Sequence, residues 1–260
     1  MSALLDINQI SLSFGGLKAL SDFSLRMKQG DVQGLIGPNG AGKTTCFNVL
    51  TGVYAPQHGE MRLGDRRLNG LRCNQITRAG LARTFQNIRL FGNLSVLDNI
   101  IVASRTQIRH TMLGTIFRSA KHLREEAALR AEAMELLHVF GLAQLANETA
   151  RNLPYGSQRR LEIARALATH PKILLLDEPA AGMNPQEKKA LADLILGVRE
   201  KFGVTILLIE HDMALVMSIC ERITVLDHGV TIAEGTPAEI QCNAKVIEAY
   251  LGKPMESEGA

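Results

Sequence analysis

Residues 37–45 read Gly-Pro-Asn-Gly-Ala-Gly-Lys-Thr-Thr, and the predominantly apolar run Val32 to Ile36 leads into them. The stretch fits the pattern GxxxxGK[ST], which works where a strand enters a loop that opens a helix, so it commits the chain to an α/β arrangement around this point. Gly37, Gly40 and Gly42 lack a Cβ, which lets the backbone curl and turn successive N–H groups onto phosphate oxygens. Pro38, Asn39 and Ala41 complete the loop, and Lys43 reaches toward the β- and γ-phosphates. Thr44 offers a hydroxyl to Mg²⁺, and with Thr45 it starts a helix whose positive end faces the anion. Cys46, Phe47, Val49 and Leu50 give that helix an apolar side. The stretch predicts a site for a nucleoside triphosphate.

With 260 residues the chain has room for one α/β domain carrying an inserted subdomain, or for two small domains. Leu5 and Ile7, then Ile10, Leu12 and Phe14, alternate with polar residues, as do Phe23, Leu25 and Met27 beyond Gly15-Gly16. That period predicts antiparallel strands. Phe14 is open to two readings, a strand-end core aromatic or a ring on which a nucleobase stacks. Glu60 to Leu63 and Arg66 to Leu68 predict a hairpin around Gly64-Asp65. Leu123, Ala127, Ala131, Met134 and Leu137 recur at steps of four and three, which predicts an amphipathic helix inside a helical insertion over residues 92–150.

Pro171 to Glu178 is an apolar run that ends in Asp177 and Glu178. Such a run suits a parallel strand buried on both faces, and ligands of such sheets gather at the strands' carboxyl ends. A helix is expected over Glu187 to Glu200, and a second buried strand over Val204 to Ile209, ending at Glu210-His211-Asp212. Ile223 to Leu226 and Val230 to Ala233 predict a last hairpin. Thr236 to Glu239 forms a capping box for a final helix. Residues 253–260 are expected to fray.

Composition narrows the function. The net charge is only +3, Trp is absent and aromatics make up 4%, which argues neither for an electrostatic footprint on nucleic acid nor for a base-stacking platform. Cys46, Cys73, Cys220 and Cys242 show no CxxC pairing and no histidine at metal spacing, which points to plain thiols in a reducing, cytosolic setting. The first residues lack a basic leader, and no apolar run approaches the roughly 18 residues needed to span a bilayer, so any membrane role falls to another chain. Between Asn99 and Arg124 there is no acid, while Arg105, Arg109, Arg118, Lys121 and Arg124 are basic and His110 and His122 accompany them. That segment reads either as a solvated helical face or as a surface for a cytoplasmic membrane face or an acidic partner.

One more stretch completes the pattern. Leu153-Pro154-Tyr155-Gly156-Ser157 runs into Gln158-Arg159-Arg160-Leu161-Glu162-Ile163-Ala164-Arg165-Ala166-Leu167. With the phosphate loop, Gln86, Asp177-Glu178 and His211 in this order, the chain resembles the nucleotide-binding subunits of ABC transporters over nearly its whole length. The resemblance implies a single ATPase domain with a parallel-sheet core, an N-terminal antiparallel β subdomain and an inserted α-helical subdomain. It implies ATP and Mg²⁺ as ligands, with Phe14 stacking on adenine and the phosphate loop on the triphosphate. By the same resemblance Asp177 is expected to hold Mg²⁺, partly through water, together with Thr44 and Gln86. It likewise implies Glu178 as the general base, His211 as the switch on the γ-phosphate, and Gln86 as the γ-phosphate sensor that couples to the membrane partner. Ala181 to Asn184 is the loop that crosses the dimer, and Leu153 to Ser157 is the signature, in which Tyr155, Gly156 and Ser157 meet the nucleotide held by an opposing subunit.

Two residues depart from the family pattern. Pro154 stands where a serine hydroxyl would face the γ-phosphate, and Asn184 replaces an aspartate, so a slower turnover or weaker closure is expected. The stretches QRRLEIARAL, DEPAAGMNP, IEHDM and VIEAYLG look similar to the ATPases of branched-chain amino acid importers; urea or amide importers and lipid exporters use similar subunits. The implied partners are multi-span permeases, a second ABC ATPase in a homo- or hetero-dimer and, indirectly, an extracytoplasmic amino-acid-binding protein, with the chain peripheral on the cytoplasmic face of the inner membrane. Two other classes compete: a soluble ABC protein acting on ribosomes or DNA, against which the single cassette and the lack of sustained heptads speak, and a subunit that binds ATP without turnover, against which Glu178 and His211 speak.

Overall fold

The computed structural model describes residues 3–105 and 120–251. Val32–Ile36 (β3), Leu81–Arg83 (β6), Ile173–Asp177 (β7), Thr205–Ile209 (β8) and Arg222–Asp227 (β9) run parallel, and Val230–Gly235 (β10) returns antiparallel to β9. They form a six-stranded sheet in the order β10-β9-β3-β8-β7-β6. Every residue of β7 and β8 is buried. The unbroken apolar runs are explained by alternation, since successive side chains serve two different cores. Leu174, Leu176, Ile206 and Leu208 pack among helices on one face. Ile173, Leu175, Leu207 and Ile209 pack on the other face against a second sheet and the helix of the phosphate loop, Lys43–Leu50 (α1).

That second sheet is antiparallel, with Leu5–Phe14 (β1), Leu17–Met27 (β2), His58–Leu63 (β4) and Arg66–Arg67 (β5) in the order β2-β1-β4-β5. The expected alternation holds there: Leu5, Ile7, Ile10 and Leu12 point into the shared core with Phe23, Leu25 and Met27. The hairpin's second strand is shorter than expected, because Leu68 turns inward and is buried, its N–H donating to the Met61 carbonyl. Cys73–Ala79 (α2) had no sequence expectation; only Ile76 of it is buried, so there is no apolar stripe to read.

Within residues 92–150 stand Val96–Ser104 (α3) and Ala120–Val139 (α4), whose Leu137 joins the helical core with Ile100 and with Leu161 of the next helix, Tyr155–Leu167 (α5). In the basic segment Arg105 pairs with Glu126; Arg109, His110 and Arg118 lie outside the described residues, as does the tail 253–260. Pro185–Phe202 (α6) extends past the expected Glu187 to Glu200 at both ends, because Asn184 caps it reciprocally with Glu187, Pro185 opens it and Gly203 closes it in the left-handed region. Met213–Ile219 (α7), Pro237–Gln241 (α8) and Ala244–Leu251 (α9) complete the order. Among the described residues no helix is long and apolar enough to cross a membrane.

Candidate nucleotide site

Strands β3, β6, β7 and β8 end on the same edge of the parallel sheet, and each delivers polar residues there. At the end of β3 the phosphate loop needs glycine for two different reasons. A Cβ on Gly37 would fall 2.0 Å from the carbonyl oxygen of Leu226, and Gly42 sits at φ 102 as the cap of α1 with the Ala19 carbonyl close behind it. No side chain caps α1, so its first amides are left for an anion. The Lys43 ammonium lies inside the loop, donating to the carbonyls of Gly37 (2.7 Å) and Pro38 (2.8 Å). Burial holds its pKa below the usual lysine value, while the charges of Glu178 and Asp177 pull it back up.

Asn39 to Thr45, Gln86, Glu178 and His211 line one cleft of ≈ 470 Å³, and Phe14 stands at it too. Phe14 is 45% exposed, so it is not a core aromatic. Tyr54 meets its ring edge-on at 5.0 Å, a partner that the turn-rich connector Gly52 to Gly59 gave no pattern to reveal.

Glu178 leaves β7 in the left-handed region at φ 47, a conformation that costs a residue with a Cβ about 1–2 kcal/mol. Its N–H donates to the Ile209 carbonyl at 2.9 Å. Its carboxylate is gripped on both sides: Gln86 Nε2 donates to Oε2 at 2.7 Å, and His211 Nε2 lies 2.7 Å from Oε1. The three residues that sequence order scattered over 125 positions of chain therefore make one hydrogen-bonded cluster.

Glu210, Arg83 and Arg159 support these residues, and nothing in the sequence sets them apart. Glu210 is buried beside His211, where Oε1 accepts the N–H of Ala180 (2.7 Å) and Oε2 those of His211 (3.0 Å) and Asp212 (3.3 Å). Burial raises its pKa and those N–H groups lower it. Asp177 is also buried, and its Oδ2 accepts from Arg83 Nη2 at 2.6 Å. Arg159 is wholly buried; it reaches the carbonyls of Phe85 and Gln86 at 2.7 Å each and pairs with Glu162, which fastens α5 to the Gln86 loop. Arginine in a polar-looking helix or at a strand end reads as surface, and only packing shows otherwise.

The signature stands apart from this cleft. Pro154 precedes the first turn of α5, and its carbonyl accepts from Ser157 (2.9 Å) and Gln158 (3.0 Å). Pro154, Gly156 and Ser157 line a different cleft, with Phe140, Met183 and Glu187. No side chain caps this helix start either.

The residues present fit a triphosphate and a hard cation. The loop amides and a lysine with no carboxylate bonded to it suit phosphate oxygens, and Thr44, which is exposed, together with the Asp177 carboxylate offers the oxygen donors that Mg²⁺ prefers.

Two family descriptions match the chain: "ABC transporter" over residues 20–181 and "Branched-chain amino acid ATP-binding cassette transporter" over residues 230–255. The high-affinity branched-chain amino acid transport ATP-binding protein LivG of Salmonella typhimurium is 48% identical over 250 residues, which cover 96% of this chain and 98% of that one. The ADP conformation of MJ1267, an ATP-binding cassette of an ABC transporter, superposes with a TM-score of 0.84 at 30% identity, covering 97% of this chain and all of that one. A dimeric post-hydrolysis structure of the cassette MJ0796, bound to ADP and Pi, gives a TM-score of 0.74 at 26% identity, covering 90% of this chain and 98% of that one. The architecture, the clustered cleft and these matches carry one assignment: the chain belongs to the ATP-binding subunits of ABC transporters and is an ATPase of that family.

Proposed function

We propose that this chain is the motor subunit of an importer for branched-chain amino acids, hydrolysing ATP to drive multi-span permeases from the cytoplasmic face of the membrane, with an extracytoplasmic amino-acid-binding protein delivering the substrate. The full-length likeness to LivG supports the substrate class, together with the match over residues 230–255. In this reading residues 1–260 form one ATPase domain, with residues 92–150 as its helical insertion.

The single observation that carries the chemistry is the Glu178 carboxylate held between Gln86 and His211 at the mouth of the phosphate loop. Phosphoryl transfer asks a protein mainly for positioning and charge stabilisation. In the proposed mechanism the amides of Gly37 to Thr45 and the Lys43 ammonium bind the β- and γ-phosphates, and Phe14 stacks on the base. Thr44, Asp177 and Gln86 would hold Mg²⁺, partly through water, and the ion would supply charge neutralisation at the phosphate oxygens. Glu178 takes the proton of the attacking water. His211 exchanges its bond to Glu178 for a γ-phosphate oxygen, and Gln86 reports occupancy of the site to the permease.

Because Tyr155, Gly156 and Ser157 do not line their own chain's phosphate cleft, they are assigned to the nucleotide of a second ATPase, identical or sister, across a dimer. The uncapped start of α5 supplies the amides that Pro154, lacking a hydroxyl, leaves to do this work.

The test is capture of the tagged chain from gently solubilised native membranes, then reconstitution of the recovered complex into vesicles. Two multi-span permeases with a second short ATPase, and leucine uptake that requires ATP, are expected. Recovery of ribosomes, of DNA or of no membrane protein would overturn the transport reading.

A further inference from the structure

Arg83 stands next to the proposed metal site and takes no part in the chemistry above. It ends β6 beside Leu175 of β7, and its side chain is 5% exposed. Nη2 donates to Asp177 Oδ2 at 2.6 Å, and Nη1 donates to Asn48 Oδ1 at 2.7 Å. The rings of Phe47 and Phe85 lie 5.4 and 5.0 Å from the guanidinium carbon, so the group is walled in and favourably stacked. Its Nε is buried with no partner. Leaving a buried donor unpaired is costly. The guanidinium is thus oriented by the two acceptors it joins, at the expense of its own third bond.

Those two acceptors identify what it joins. Asn48 stands one helical turn beyond Thr44, on the same face of α1. Asp177 is fixed by its own N–H as well, which donates to Thr84 Oγ1 at 3.3 Å, while the Thr84 N–H donates to the Leu175 carbonyl at 2.9 Å. One carboxylate oxygen of Asp177 is therefore occupied by Arg83, and no hydrogen bond among the described residues takes the other. We propose that Arg83 is a positioning residue for Mg²⁺: it sets the rotation of the Asp177 carboxylate and, through Asn48, keeps that ligand in register with Thr44 on the phosphate-loop helix. The role rests on the MgATP reading of the cleft. It also asks for arginine in particular, since a lysine ammonium is a point donor that cannot span both acceptors in one plane.

The test measures binding of a non-hydrolysable ATP analogue to the full chain, first in EDTA and then along a Mg²⁺ titration. Outer-shell residues of metal sites typically control about 10- to 100-fold in metal affinity, so Arg83→Lys and Arg83→Met are expected to raise the half-saturating Mg²⁺ by at least about tenfold while binding in EDTA stays unchanged. Asn48→Ala, which leaves the Arg83–Asp177 pair in place, is expected to give a smaller rise in the same direction. Should Arg83→Met fail to fold, Asn48→Ala and Arg83→Lys carry the test. An unchanged or lowered Mg²⁺ requirement overturns the proposal, and so does a parallel loss of binding in EDTA, which would mark a purely structural arginine. If the parent chain itself binds the analogue no better with Mg²⁺, the MgATP reading fails first, and the two failures are told apart by that control.

Discussion

At the scale of single residues, the proposed chemistry turns on a carboxylate that the fold holds in an uncomfortable position. Glu178 takes a left-handed backbone conformation at the end of β7, and its side chain is pinned by Gln86 and His211. The strain is maintained by the bond from its N–H to Ile209 and by Glu210, which fixes the Ala180 amide on the far side of the turn. Glu178→Gln keeps the shape and removes the proposed base. A general base contributes typically 10²- to 10⁴-fold, so steady-state hydrolysis is expected to fall by about that factor while ATP still binds. Equal turnover in the variant and the parent, measured by phosphate release, would falsify the assignment. The sequence made Glu178 legible as a carboxylate at a strand end. It gave no sign of Glu210 or Arg83, whose roles come from which groups they face.

At the scale of elements, the loops after β7 and β8 are tied together beyond the His211–Glu178 contact, by Ala180 to Glu210 and by Lys188 of α6 to Asp212, the cap of α7, at 2.6 Å. The hydrogen bond from Lys188, then that from the Leu215 amide, holds the Asp212 carboxyl below its ordinary 3.8, and Asp212 in turn raises Lys188 above 10.5. A depressed carboxyl contributes stability that is present above its unfolded pKa and lost as pH falls through the folded one; a raised lysine contributes below its unfolded pKa and loses the contribution as pH rises through the folded one. Asp212→Asn keeps a capping oxygen and removes the pair. The gap in urea midpoint between parent and variant is therefore expected to be open near pH 7, to narrow as pH falls below 3.8, and to narrow again above 10.5. A gap that stays constant across this range would show that the ion pair is idle. Both strands carrying these loops were readable as apolar runs, whereas the start of α6 at Asn184-Pro185 and the bridge between α6 and α7 were not, the bridge because its partners are 24 residues apart.

At the scale of the whole molecule, the phosphate cleft and the signature open in different places on one chain. If the signature serves a second copy's nucleotide, hydrolysis by the isolated chain requires association. The rate is expected to rise faster than linearly with protein concentration in the dilute range, then to become proportional once the dimer is saturated. Strict proportionality down to the lowest concentration would mean that one chain completes its own site, and the dimer reading would fall.

The sequence by itself determined the loop, because glycine positions, a lysine and a hydroxyl at fixed spacing have one local geometry to adopt after a strand. It also determined the buried strands, because a run with no polar interruption has to be covered on both faces. Only the tertiary structure decided that Phe14 faces the cleft instead of the core, that Arg83 and Arg159 lie inside rather than at the surface, and that Gln86, Glu178 and His211 share hydrogen bonds. The inward place of Arg83 and the shared hydrogen bonds depend on which strands become neighbours in the order β8-β7-β6, and on what a long polar side chain finds when it gets there. A buried arginine is tolerable only where carboxylates and carbonyls converge on it, and convergence is set by the packing of distant segments.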